Sequence, residues 1–366
     1  MFLNGTRFCT AILALYSAAL PFSTDAFRAE GSAQFRRMTS RGRATAQGMG
    51  ASNCSDARDA EALLRAACAC GSKEDLEARG FVPLTYGYAN IVLGVEHGGH
   101  NFVVKKYTDL ILLRIAPEAL GACDLLAGSA GIGPRVMFSS PSGLVMERIR
   151  GVELQEQDMH SGDFPLLDAV AKALASVHRL EVPQVCEGEP MLWRTIRKMM
   201  TVCGQHPELM PPGFPECKEI QAEIDAARAT LDRHQPRLVL AHGDFKPSNV
   251  MRHGDRVSII DFELAGPNYR GYDLMKVFRT ARAQSVESMR RFLTTYASEI
   301  GDSVDDQSVS DLLSEARRFE PLTWLEAAIF FLTLPHYKPE SAARWHEMAL
   351  DRWSKWQERK HLLSED

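Results

Sequence analysis

Neither sign of charge dominates this 366-residue chain. The net charge of −5 gives no reason to expect nucleic acid or an anionic membrane surface as a partner. Outside the N-terminus no apolar run reaches the roughly 20 residues that a membrane-spanning helix needs, so stable membrane insertion is not expected. No segment repeats at a fixed period. The eight cysteines are scattered. Cys68-Ala69-Cys70 is the one close pair, and it lacks the partner cluster that a zinc site requires. Most cysteines are expected to be small buried hydrophobes, and their spacing does not fix the redox compartment. A composition 45% hydrophobic and 24% charged fits a globular protein of one large or two small domains.

Acidic residues are missing from positions 31–55, where Arg36, Arg37, Arg41 and Arg43 stand among Ser, Thr, Ala and Gly. Such an Arg-rich, acid-poor stretch reads as a transit peptide. Upstream, Arg7 precedes AILALYSAAL at 11–20, a short apolar run of the secretory-signal type. Phe27-Arg28 lies at the junction. The order signal-like then transit-like resembles the bipartite presequences of algae with complex plastids. A secretory signal followed by a linker is the other reading, and the cytoplasm is the expectation if neither segment acts as an address. Residues 1–55 are set apart from the fold as a targeting presequence or disordered segment.

The chemistry concentrates in 238–278, LVLAHGDFKPSNVMRHGDRVSIIDFELAGPNYRGYDLMKVF. Two apolar β-type runs, 238–241 and 257–260, each lead into acidic residues, and His253-Gly254-Asp255 supplies turn chemistry between them. The first run delivers His242-Gly243-Asp244 and then Asn249. The second delivers Asp261-Phe262-Glu263. Alone, an Asp or Asn after a strand is an ordinary turn or cap residue. Together they have the spacing of phosphoryl transfer: one carboxylate to orient an attacking hydroxyl, and a carboxylate plus an amide oxygen for the metal on the nucleotide phosphates. H-x-D, four residues, N, with D-F soon after, matches the protein-kinase catalytic pattern. Asp244 is assigned as catalytic base, and Asn249 and Asp261 as metal ligands. Hard oxygen donors argue for Mg²⁺ over Zn²⁺. His242 reads as a brace for the loop, and Lys246 as a phosphate contact or a solvated charge.

These motifs, with Asn268-Tyr269-Arg270-Gly271-Tyr272-Asp273 following, resemble the choline/ethanolamine kinases, within the wider group that includes aminoglycoside phosphotransferases. The resemblance runs from about residue 80 to the C-terminus and is strongest in the core. It implies an α+β, two-lobed protein-kinase-like fold, with a small antiparallel-sheet N-lobe over 56–150 and a larger, mainly helical C-lobe over 151–366. It implies ATP and Mg²⁺ as cofactors and a small hydroxyl compound, an amino alcohol, as acceptor. A homodimer is expected from the family, though no residue fixes it. Arg270 and Asp273 are expected to hold the loop after the metal-binding segment. A kinase of this fold acting on a sugar or aminoglycoside, and a non-catalytic nucleotide-binding protein, are the alternatives.

Further site residues follow from the resemblance. Gly87 and Asn90 fit the loop over the ATP phosphates, although Tyr88 and Ala89 depart from the usual glycine-rich form. The return strand of that hairpin carries Lys105 and Lys106 on opposite faces. Lys105 is favoured to hold the phosphates, with Lys106 and Arg114 as rivals, and Glu118 is favoured over Asp124 as its partner on the next helix. Backbone groups of Met146 to Arg148 are expected to face the adenine. Helices are expected at 56–70, 164–180, 193–202, 220–234, 285–299, 308–319, 321–332 and 340–357. An ammonium acceptor calls for aromatic faces plus a carboxylate. Trp324 is the leading candidate, with Phe330, Phe331 and Tyr337, with Glu326 or Glu320 as the charge, and with Glu263 as a further substrate contact. One departure stands out: where the family reads D-I-[GA]-N-H-F-C-E-W, this chain reads Asp273-Leu274-Met275-Lys276-Val277-Phe278-Arg279-Thr280. A carboxylate expected near the substrate ammonium is missing, and Lys276 and Arg279 add positive charge.

Overall fold

The computed structural model describes residues 80–84, 89–97, 99–279 and 285–365, together with Arg65, which lies in a helix. The presequence, the rest of the expected 56–70 helix, and Gly87 lie outside the described residues. The described part forms two compact units: 80–108 with 135–148, and 109–134 with 149–365. Residues 109–134, assigned to the N-terminal lobe from the sequence, group with the second unit.

The first unit is one antiparallel sheet. Its strands are β1 (Val82–Pro83), β2 (Asn90–His97), β3 (His100–Tyr107), β4 (Val136–Ser140) and β5 (Gly143–Glu147), in the order β1-β2-β3-β5-β4. Alternation along the strands puts Leu93, Val95, Phe102, Val104 and Val145 into one core with Phe81. The register pairs Leu93 with Val104 and Val104 with Val145. The same alternation sends Lys105 to the opposite face, paired with Val92 and Leu144.

The second unit is mainly helical. It contains α1 (Asp109–Arg114), α2 (Ala122–Ser129), α3 (Phe164–His178), α4 (Met191–Gln205), α5 (Cys217–Asp232), α6 (Arg270–Lys276), α7 (Val286–Ile300), α8 (Asp306–Tyr337) and α9 (Ala342–Arg359). Short strands β6 (Val152–Glu153), β7 (Leu238–Ala241), β8 (Val250–His253), β9 (Arg256–Ile259) and β10 (Gly266–Tyr269) carry the motif loops. Asp163 starts α3 by accepting from the Leu166 N–H, and Ser285 starts α7 in the same way from Ser288.

The two apolar runs lie in different sheets: β7 pairs with β10, whose sequence GPNY carries no strand signal, while β9 pairs with β8 across the Gly254 turn. One expectation is corrected. Helices expected at 308–319 and 321–332 are one continuous helix, α8, with Pro321 and Pro335 inside it. Proline ordinarily ends a helix at the preceding residue. Here the residues around Pro321 are buried almost without interruption from Phe319 to Ile329, and that packing outweighs the lost backbone bond.

Candidate active site

The site is built at the C-terminal end of β7 and the end of β9. Strand β7 runs into His242-Gly243-Asp244, and Gly243 takes φ +77. A side chain there would put Cβ 2.3 Å from the Leu264 carbonyl oxygen. Gly243→Ala is therefore expected to destabilise the fold by about 2–4 kcal/mol, through left-handed backbone strain and a clash with main chain that cannot swing aside. A denaturation midpoint checks it.

His242 is buried and acts as a brace. Its Nε2–H donates to the Ile260 carbonyl at 2.9 Å, and its Nδ1 accepts from the Asp244 N–H at 3.2 Å. That pairing fixes the neutral Nε2–H tautomer. The Ile260 N–H donates to the Asn249 carbonyl at 2.9 Å. The loop carrying Asn249 is thus tied to the residue just before Asp261. Asp261 itself adopts φ +71, a sparsely populated conformation for a non-glycine residue and one that tends to be held at functional sites.

Asp244 is partly buried and paired on both oxygens. Lys246 Nζ lies 2.8 Å from Oδ2 and Lys276 Nζ 3.0 Å from Oδ1. Burial alone would raise this carboxyl, but the Lys276 and Lys246 ammonium groups outweigh it and hold Asp244 well below the usual carboxylate range. The Asp244 carboxylate in turn raises Lys246. The Asn249 amide donates to the Asp244 carbonyl at 2.9 Å and to Oδ2 at 3.3 Å, which leaves its amide oxygen for a cation. The three residues expected from sequence to do the chemistry are thus brought together on one loop and its neighbouring turn.

Asp273 is the part of this arrangement that its sequence position did not reveal. It is fully buried in α6 and accepts from the His242 N–H at 2.6 Å, the Gly243 N–H at 3.0 Å and His178 Nε2 at 3.1 Å. It holds the start of the catalytic loop, not the loop after the metal-binding segment. His178 Nδ1 in turn meets the Tyr296 hydroxyl at 2.7 Å. Burial raises the Tyr296 phenol, so it stays protonated and donates. Arg270 pairs with Glu315 at 2.6 Å and Asp302 at 2.6 Å, tying β10 and α6 to α8.

The remaining expected site residues divide. Lys105 is buried, while Lys106 is only partly covered. Arg114, a rival to Lys105, is bound to Glu326 at 2.5 Å in the second unit. Asn90 is buried at the start of β2. Glu118 is corrected: it is exposed on a single turn, Pro117–Ala119, whereas Asp124 is buried on α2, so the carboxylate placed on the helix is Asp124. At the expected adenine edge, Met146 is buried and Arg148 exposed. The Glu147 N–H is bonded to the Arg135 carbonyl and the Arg148 N–H to the Asn101 carbonyl, each at 2.9 Å. Those two donors are therefore not open to a base. Glu263 is half-buried in the turn Phe262–Leu264.

Trp324 is corrected as a free cage wall. It is buried, and the chain's own cations already cover its ring: Arg279 at 4.6 Å, Lys355 at 4.8 Å and Arg352 at 5.5 Å from the centroid.

An antiparallel-sheet unit and a mainly helical unit bearing this loop define the two-lobed kinase-like fold. Solved structures share it: an ethanolamine kinase of Plasmodium vivax aligns with TM-score 0.66 at 16% identity, covering 84% of this chain and 95% of that one. A choline kinase of Cryptosporidium parvum aligns with TM-score 0.61 at 16% identity, over 77% and 89%. The sequence profile of choline/ethanolamine kinases matches residues 84–357, and the chain belongs to the choline/ethanolamine kinase family. The human choline/ethanolamine kinase is 24% identical over 212 residues, 52% of each chain. Mouse ethanolamine kinase 2 is 24% identical over 167 residues, 44% of this chain and 42% of that protein. The chain thus spans about half the length of these curated relatives. Among the described residues no helix is long and apolar enough to cross a membrane.

Proposed function

We propose that this protein transfers the γ-phosphate of ATP to the hydroxyl of an amino alcohol. The observation that carries the reading is Asp244 and Asn249 on one hydrogen-bonded loop, with Asp261 on the turn that the Ile260 N–H ties to it, in a chain of this family. Asp244, held strongly acidic by two ammonium groups, is a weak base. Its role is to orient the acceptor hydroxyl and take its proton late, as positioning-dominated phosphoryl transfer requires. Lys246, with the more exposed side chain of the two lysines, is the cation able to leave Asp244 for a phosphate oxygen. Lys105 is the buried cation of the sheet unit and the candidate for the remaining phosphates.

The residues fit a magnesium ion. Asn249 offers its amide oxygen and Asp261 a carboxylate. Two hard oxygens from the protein, completed by phosphate and water oxygens, suit Mg²⁺. Among the described residues no group of three or more His, Cys, Asp or Glu forms a rival metal cluster. When bound, the ion would neutralise charge on the phosphate oxygens.

The test is ATP consumption by the full-length protein with Mg²⁺, against choline, ethanolamine, related amino alcohols and sugars. Turnover on an amino alcohol is expected, with Asp244→Ala lowering it by about 10²–10⁴-fold. Turnover confined to sugars would move the acceptor. No turnover on any acceptor would sink the reading.

A further inference from the structure

Among the described residues, Asp244, Glu326, Glu320, Trp324 and Phe330 each hold a cation of the chain itself. Asp244 Oδ1 is taken by Lys276 at 3.0 Å. Glu326 is taken by Arg114 at 2.5 Å and Glu320 by Arg359 at 3.0 Å. The Trp324 ring carries Arg279, Lys355 and Arg352, and the Phe330 ring carries Arg114 at 5.1 Å. The space behind Gly243, bordered by Arg114, Asn268, Tyr272 and Glu326, is about 10 Å³. That is room for about one water and not for a trimethylammonium group.

Lys276 is the closest of these cations to the reacting position. It is 4% exposed. Beyond Asp244 it donates to the Gly243 carbonyl at 3.1 Å and the Tyr272 hydroxyl at 3.3 Å, and its ammonium lies 5.0 Å from the Tyr272 ring centroid. A carboxylate, a carbonyl and an aromatic face are the chemistry that recognises a primary ammonium. Here an internal lysine satisfies all three. In ethanolamine or choline the positive charge lies only two carbons from the hydroxyl. An acceptor hydroxyl on Asp244 would therefore bring that charge within a few ångströms of the Lys276 ammonium.

We infer that Lys276 is a specificity-determining residue that fills the cation position beside Asp244 from within the chain, so that the site selects amino alcohols without net positive charge over compact cationic ones. This rests on the amino-alcohol kinase reading above and names the charge class of its acceptor.

The test compares choline, its uncharged isostere 3,3-dimethyl-1-butanol, and serine, an amino alcohol of zero net charge, as acceptors for the full-length protein and for Lys276→Met. The readout is the ratio of kcat/KM for choline to that for the isostere. Any general damage from disturbing Asp244 cancels in this ratio, and a merely structural role for Lys276 would not move it. The wild type is expected to use the isostere or serine at least as well as choline. Lys276→Met is expected to raise the choline-to-isostere ratio by on the order of ten- to a hundredfold, the Coulombic effect of removing one nearby like charge. Lys276→Asn, which keeps a polar group, gives the same comparison if the methionine variant does not fold.

A wild type preferring choline over the isostere by about tenfold or more overturns the inference without any variant, against the like-charge repulsion of the Coulombic argument. So does turnover by the variants with an unchanged ratio, and in both cases the kinase reading stands. If the wild type consumes none of these acceptors while using a sugar, the amino-alcohol reading fails as well and the acceptor moves to sugars.

Discussion

Asp273→Ala is expected to cost the second unit about 3–5 kcal/mol, the penalty typical of breaking a buried charged network by removing one partner. The carboxylate has no exposure and accepts from two backbone N–H groups and a histidine. Alanine leaves the His242 and Gly243 N–H groups without an acceptor, and each buried unsatisfied donor is worth about 1–3 kcal/mol. It also removes the acceptor that orients His178, so the Tyr296 hydroxyl loses a fixed partner. Because the two N–H groups belong to the residues immediately before Asp244, activity should fall with stability. Asp273→Asn separates the two effects. It keeps the shape and one acceptor oxygen, so a smaller loss of stability is expected, with a loop that is less well fixed. Chemical denaturation measures the stability of both variants. An alanine variant within about 1 kcal/mol of wild type would show that the network is not what holds the loop.

The catalytic loop was legible from sequence because its chemistry is local. Asp244, Asn249 and Asp261 lie within one short stretch, at the spacing of the phosphoryl-transfer pattern. Long amphipathic segments such as α3, α5 and α9 were legible because their apolar period is strong. What escaped depends on pairing between distant segments. β10 is spelled Gly266-Pro267-Asn268-Tyr269 and becomes a strand only because β7 offers it a ladder. The continuity of α8 through Pro321 is set by burial, which no local propensity reports. Glu118 and Asp124 are equal as sequence, and only the start of α2 at Ala122 separates an exposed turn residue from a buried helical one. Trp324 was legible as an aromatic at a plausible position. That Arg352 and Lys355 would cover it depends on α9 packing against α8, and that Arg279 would do so depends on α6 packing against α8. Lys276 was visible as an added charge, but its contact with Asp244 spans 32 residues and a helix, and no spacing rule announces it.

The second large effect is at Asp244 itself. Asp244→Asn is expected to lower kcat by about 10²–10⁴-fold while leaving the KM for ATP nearly unchanged, because the hydroxyl-orienting group does not hold the nucleotide. The same change should also destabilise the protein. It leaves the Lys276 ammonium, whose side chain is 5% exposed, facing a neutral amide, and an uncompensated buried charge costs about 3–5 kcal/mol. A drop in turnover could then reflect a loosened fold, and the double variant Asp244→Asn with Lys276→Met resolves the two. If the lysine only balances the aspartate, removing both charges should recover most of the lost stability, since a buried ion pair replaced by neutral groups of similar volume is often close to neutral overall. Turnover should not recover, because the group that orients the hydroxyl is still missing. Recovery of stability without recovery of kcat would assign the chemistry to Asp244 and the charge balance to Lys276. Recovery of both would mean that Asp244 serves the fold and that another group orients the acceptor.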